Sequence, residues 1–408
     1  MSNAMGPEEE RGWSFGGLIP VPEQRTIPAM VEEDSTAVAW QVCSLLIVNQ
    51  SLYVGLKGVG RLDNDFGEVK EYDLERQEYR GTLHEFPLRL RPPLGHPMKM
   101  LAYKAGGSQR VAILENTGQV HVYDHGSKER VASFNAHRFE LNDMAIDEHG
   151  FIYTAGEDEQ YAFRLSSRRP KRPAQILRWH PVTLKPELYE RRGLGQVTAV
   201  GVGDGRVYFG TRSHEPPHPQ AGEGSAFVVE SPFSFIGGGF SASKRPRRLA
   251  RPGFAICRTT KGFRPDMMGT PRRIFLAGGQ PFFISRYSVR TFDRAGWGGR
   301  RHQQPYPIEG ACLVGQHHMA VGGAGEDSPG EVKIIRLADF KVAAILPEVS
   351  PVQSLAYDAA VGLISATEAG LRVWPLPPLK EPVTRAAEAE EPVGKKPAKD
   401  PGEELADL

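Results

Sequence analysis

The sequence predicts an all-β chain wound into a ring of seven four-stranded antiparallel blades, closed by an N-terminal strand; three observations carry this expectation. Short runs of β-branched and aromatic residues alternate with Gly, Asn and Asp turn signals. A four-strand pattern returns about every 40 residues. No apolar period of helical spacing is sustained along the chain. One such unit has two apolar faces and cannot bury both alone, whereas sheets packed face to face around an axis bury nearly all of them, which is the β-propeller solution.

Composition permits this. Hydrophobic residues are 40% of the 408, enough for a large core, while 45 Gly and 33 Pro supply turns for many short strands. No apolar stretch is long enough to cross a membrane and the N-terminus lacks a basic-then-apolar leader, so a cytoplasmic protein is expected. Met1-Ser2-Asn3-Ala4 reads as an expression scar ahead of Met5. The three cysteines, Cys43, Cys257 and Cys312, are too scattered for a disulfide framework or a metal site.

In chain order, residues 1–26 are expected to be a disordered tail, 27–378 the propeller, and 379–408 a second tail rich in Pro, Ala, Glu and Lys. Strands begin at Val42, Leu52, Glu68 and Tyr79 in the first blade, and at Met98, Arg110, Gln119 and Arg130 in the second. The third is read as Leu141–Asp147, Phe151–Gly156, Gln160–Leu165 and Ala174–Arg178. The fourth starts at Val197, with an insertion at 213–224 and an unplaced outer strand. The fifth contains strands from Arg272, Pro281 and Tyr287, and the sixth starts at Ala311. The seventh, from Val352, lacks a fourth strand, and Thr26–Glu33 is expected to supply it, which would join the chain ends and cover two sheet edges.

The third unit carries a resemblance. His137, Leu141-Asn142-Asp143-Met144-Ala145, His149-Gly150, Thr154-Ala155-Gly156-Glu157-Asp158 and Phe163 fall where a WD repeat places its histidine, first strand, turn glycine, acidic turn and final aromatic. The chain therefore resembles the WD-repeat propellers, with degenerate repeats of the kind found in bacterial WD-like proteins. The resemblance implies that His137, Thr154, Asp158 and Phe163 hold one blade together, although Phe163 has no hydrogen to donate.

Enzyme signatures are missing. Ser241-x-x-Lys244 sits in a Gly- and Arg-rich loop, Gly201–Gly205 and Gly322–Gly325 read as hairpin turns without a phosphate-gripping Lys-Ser/Thr, and prolines between His214 and His218 prevent the helix that would align metal ligands. No catalytic residue, cofactor or metal ligand is assigned. A lactonase-like metal site in the central channel is the enzymatic alternative.

The unusual feature is charge. Residues 161–303 hold 26 Lys and Arg against 8 Asp and Glu, leaving 24 against 41 elsewhere in a chain of net charge +1. Arg168, Arg169, Lys171, Arg172, Lys244, Arg245, Arg247, Arg248, Arg272, Arg273, Arg300 and Arg301 are read as a solvent-facing basic sector in turns and insertions. Guanidinium groups offer paired donors to carboxylate or phosphate. The expected function is a non-enzymatic scaffold whose partner is an acidic protein, with nucleic acid as the second reading and no membrane contact. The sequence leaves the oligomeric state open.

Overall fold

The computed structural model describes residues 18–19, 39–59, 66–76, 78–86, 95–137, 140–157, 175–190, 196–212, 224–230, 247–250, 270–291, 300–324 and 329–376. The fold is an all-β propeller of four-stranded antiparallel blades. β1 (Leu18–Ile19) comes first in the chain. The first blade is β2 (Ala39–Val48), β3 (Ser51–Val59), β4 (Phe66–Asp73) and β5 (Glu78–Glu85), and the second β6 (Pro97–Ala105), β7 (Ser108–Glu115), β8 (Gln119–Asp124) and β9 (Arg130–Asn135). The third is β10 (Glu140–Ile146), β11 (Ile152–Glu157), β12 (Gln175–Trp179) and β13 (Pro186–Glu190). The fourth is β14 (Gln196–Gly203), β15 (Arg206–Arg212), β16 (Gly224–Glu230) and β17 (Arg247–Ala250). The fifth is β18 (Arg273–Ala277), β19 (Gln280–Ile284), β20 (Ser288–Thr291) and β21 (Arg301–Gln303), and the sixth β22 (Gly310–Val314), β23 (His318–Gly323), β24 (Glu331–Arg336) and β25 (Val342–Pro347).

These six blades are meanders of consecutive strands. The remaining sheet is assembled differently: β26 (Val352–Asp358), β27 (Gly362–Thr367) and β28 (Gly370–Trp374) are joined by β1, in the order β1-β28-β27-β26. The first strands pack side by side in chain order from β2 to β26, and β26 packs back on β2.

Three expectations are corrected. The strand that joins β28 is Leu18–Ile19, paired as Leu18↔Arg372 and Ile19↔Leu371, and it comes from the segment expected to be a tail. Thr26–Glu33, expected in that role, lies outside the described residues. In the third blade Gln175–Trp179 is the third strand, not the fourth, and Pro186–Glu190 is the outer one; the expected strand at Gln160–Leu165 lies outside the described residues.

Burial is greatest in the second strands, lower in the innermost ones and lowest at the rim, as face-to-face packing requires. Second strands such as β23 and β27 are buried at every position, whereas the outer strands β9 and β25 are largely exposed. Each core cluster belongs to two neighbouring sheets. Leu114, Val120 and Val122 of the second blade pack with Met144, Ile152, Leu177 and Trp179 of the third, and Leu52, Val54 and Leu56 of the first pack with Ile364, Ala366 and Leu371 of the composite sheet. Each such side chain contributes about 1.5–3 kcal/mol when fully buried, so a blade removed from its neighbours loses the reason its strands stay paired. The Asp204-Gly205 turn, with both φ values positive (52° and 67°), joins Gly203 to Arg206 as a two-residue hairpin, as expected, whereas Gly201–Gly203 belong to strand β14 and Gly322 and Gly323 to strand β23, not to turns.

Candidate functional site

The polar groups on and between the blades are first of all structural. Thr154, fully buried on β11, is a hub: the Trp179 indole Nε1–H donates to its Oγ1 at 3.0 Å and His137 Nε2 lies 3.1 Å away. The donor that Phe163 cannot supply is therefore Trp179, at the end of the third strand. Sequence reading missed it because the long insertion after β11 displaces that strand along the chain; the signal was the tryptophan itself. Asp158 and Phe163 lie outside the described residues. The composite sheet repeats the device with different chemistry: Trp374 Nε1 donates to Ser365 Oγ at 2.9 Å and to Glu348 Oε1 at 3.1 Å, and the Ser365 hydroxyl also donates to Glu348.

A second set of contacts ties the first strands of neighbouring blades. Register slips at Cys43, Met98, Asn142, Thr198 and Gln353, at equivalent places in β2, β6, β10, β14 and β26. A bulge turns an extra side chain out of the sheet plane, and three of these reach the next blade. Asn142 Nδ2 donates to Val197 O at 2.8 Å, Thr198 Oγ1 to Pro271 O at 2.6 Å, and Gln353 Oε1 accepts from Val42 N at 2.8 Å. The following residue does the same: Ser44 Oγ accepts from Met100 N at 3.1 Å between the first and second blades, and Asp143 Oδ2 from Val200 N at 2.9 Å at the seam that Asn142 also ties.

The seam between the fifth and sixth blades departs from this pattern. Neither β18 nor β22 carries a register slip against its partner strand. The residues in the equivalent positions, Arg272 and Glu309, face each other across the seam as a half-exposed ion pair at 3.6 Å. Arg273 follows on β18, where burial pushes its guanidinium below the usual arginine range against the opposing pull of Asp143 and Glu309. Burial raises the Cys312 thiol nearby to about 12, so it stays protonated at neutral pH.

Among the described residues the basic ones are dispersed over inner and outer strands. Arg272 and Arg273 were expected in solvent-facing turns, but Arg273 opens the innermost strand and Arg272 directly precedes it. Arg301 lies on the outermost strand of the same blade, three strand spacings or roughly 14 Å away. Arg300, beside it, is exposed and donates to Ala338 O in the sixth blade. On β20, burial and the nearby Arg301 bring Arg290 down to about 10. Arg247 and Arg248 pair through β17 with Val228 and Phe227, on the outer strand of the fourth blade. Arg168, Arg169, Lys171, Arg172, Lys244 and Arg245 lie outside the described residues, as do His214, His218, Ser241 and Cys257.

A buried histidine pair sits between the first and second blades. His84 Nδ1 is 2.6 Å from Tyr123 Oη, the His84 and His121 rings are 4.3 Å apart, and His121 Nε2 is 2.8 Å from Glu115 Oε2. Burial, then the neighbouring His121, depresses His84 to about 4. The described residues contain no group of three or more His, Cys, Asp and Glu side chains able to hold a metal ion, and no helix long and apolar enough to cross a membrane.

No protein-family model matches the chain, and neither does any curated protein. Solved structures do. The crystal structure of Chaetomium thermophilum Raptor matches 91% of this chain at a TM-score of 0.58 and 12% identity, over 30% of its own length. The structure of U3-55K (TM-score 0.55, 12% identity) and that of the RRP9 WD40 repeats (0.54, 13%) each match 84% of this chain and 98% and 97% of their own. At such identities the likeness establishes a WD-repeat-like propeller fold.

Proposed function

We propose that this propeller is a non-enzymatic scaffold that holds other proteins, with basic side chains on the fourth and fifth blades engaging an acidic partner. The observation that carries the reading is what its polar side chains do. Thr154, Trp179, His137, Asn142, Thr198, Asp143, Ser365 and Glu348 are taken up by contacts within or between blades, so the most deeply placed polar chemistry fixes a rigid disk. A rigid disk presents loops and outer strands with little ordering cost on binding. We count the composite sheet as a seventh blade, because β26 packs on β22 at one side and on β2 at the other. Propellers with WD40 repeats among the similar structures support the reading by analogy of fold.

The test is affinity purification with the wild-type chain and with R245E/R247E/R248E. The expected result is a protein partner, insensitive to nuclease, that the charge-reversed chain fails to retain. Identical partner lists remove the basic side chains from the proposal, and loss of all partners on nuclease treatment replaces it with nucleic-acid binding, whose affinity falls steeply with salt.

A further inference from the structure

We infer that the inner end of the seam between the fifth and sixth blades is an anion site, built on Arg273, that receives the carboxylate of an acidic side chain from a protein partner. This deepens the scaffold reading and rests on it for the nature of the partner.

The argument is one of charge at equivalent positions. Leu45, Met100, Met144, Val200, Ile274, Ala311 and Leu355 are buried at the same place in successive first strands, and the residues just before them form a ring: Ser44, Lys99, Asp143, Ala199, Arg273, Gly310 and Ser354. Three of these are charged. Asp143 is fully engaged, with Lys99 Nζ at 2.6 Å, its neighbour Met144 N at 2.8 Å and Val200 N at 2.9 Å. Lys99 is thereby neutralised. Glu309, the other nearby carboxylate, is shared with Arg272. Among the described residues no carboxylate lies within ion-pair distance of the Arg273 guanidinium, and its neighbours in the ring, Ala199 and Gly310, bring neither charge nor a hydrogen-bonding side chain.

A guanidinium withdrawn from bulk water without a touching counter-ion gains more from a carboxylate than an exposed one does, because the planar fork accepts both oxygens at once and screening is weak. Arg273 is half-buried, so its fork remains reachable. The position beside the innermost strands suits a single inserted side chain better than a nucleic-acid backbone, and Glu309 opposes a doubly charged phosphate more strongly than a singly charged carboxylate.

The experiment uses the full chain and a fluorescein-labelled peptide of alternating Gly and Glu, with its Gly-Gln counterpart and inorganic phosphate as controls. Wild type is expected to bind the Glu peptide and not the Gln peptide, R273Q to bind at least tenfold more weakly, R273K to fall between, and R76E, an exposed turn residue of the first blade, to match wild type. Thermal melts check that the variants are folded. Should R273Q not fold, the Nε–H resonance of Arg273 in arginine-labelled wild type is expected to shift as peptide is added. Unchanged affinity in R273Q, an unmoved Arg273 resonance, or displacement of the peptide by equimolar phosphate overturns the inference. Purification that yields no protein partner, with peptide binding intact, sinks the scaffold reading and leaves the site standing.

Discussion

Replacing Thr154 by valine keeps the volume and shape of the side chain and removes only its hydroxyl. In the wild type that oxygen receives the Trp179 indole hydrogen and is paired with His137, all three residues being buried. The variant strands the Trp179 indole N–H away from water, and an orphaned buried polar group costs about 1–3 kcal/mol. The expected loss is therefore about 1–3 kcal/mol, partly offset because valine is easier to bury than threonine. With about 2.1 cal/mol/K of unfolding entropy per residue over roughly 350 residues, each kcal/mol moves Tm by about 1.4 °C, so a fall of about 1.5–4 °C is expected. The assay is thermal and urea unfolding followed by far-UV circular dichroism, with W179F and the double variant completing a cycle. W179F retains an aromatic ring against Phe134, whose centroid is 4.3 Å from that of the indole, and loses the donor. In the double variant the stranded indole is gone, so its cost should fall short of the sum by about 1 kcal/mol. A T154V chain within 0.5 °C of wild type, or additive single variants, would refute the assignment of this threonine as the hub of the third blade.

Truncation of residues 1–19 uncovers the edge of β28, and a lower Tm with concentration-dependent aggregation is expected, whereas replacing Thr26–Glu33 with a Gly/Ser linker should leave melting unchanged; the opposite ranking would restore the original choice of closing strand. Gly118 has φ +94°, and an added Cβ would stand 2.1 Å from His137 O, so G118A should cost at least about 2 kcal/mol where an ordinary strand Gly→Ala is mild. His84 is held neutral in the fold, so the unfolded chain binds its proton first: its contribution is complete above pH 6.5 and lost as pH falls toward about 4, at up to about 1.4 kcal/mol per pH unit. H84Q should flatten the stability profile in that window, and an unchanged slope would discount the histidine.

Much of the fold was legible in sequence because strand alternation and turn chemistry are local. Asp204-Gly205 can take positive φ at both turn positions, and the runs at Leu52, Arg110 and Gly362 reveal largely buried second strands by their apolar density alone. The resemblance to a WD repeat also placed His137 and Thr154 in one blade. What it could not supply was pairing across long separations. Nothing in Leu18–Ile19 marks these two residues as partners of Leu371 and Arg372, since any short apolar run can extend an open edge and only the packed ring chooses which does. The insertion after β11 likewise hid Trp179 from the blade it locks.

The sequence by itself determined the all-β class, the four-strand repeat and the positive excess of residues 161–303, because composition and short-range periodicity are properties of neighbours along the chain. Only the tertiary structure decided that Arg272 and Arg273 stand at the axis while Arg300 and Arg301 stand at the rim. A residue's distance from the axis depends on which strand of its blade it occupies. Which charges meet across a seam depends on the register of the blade beside it, and neither is written in the spacing of arginines.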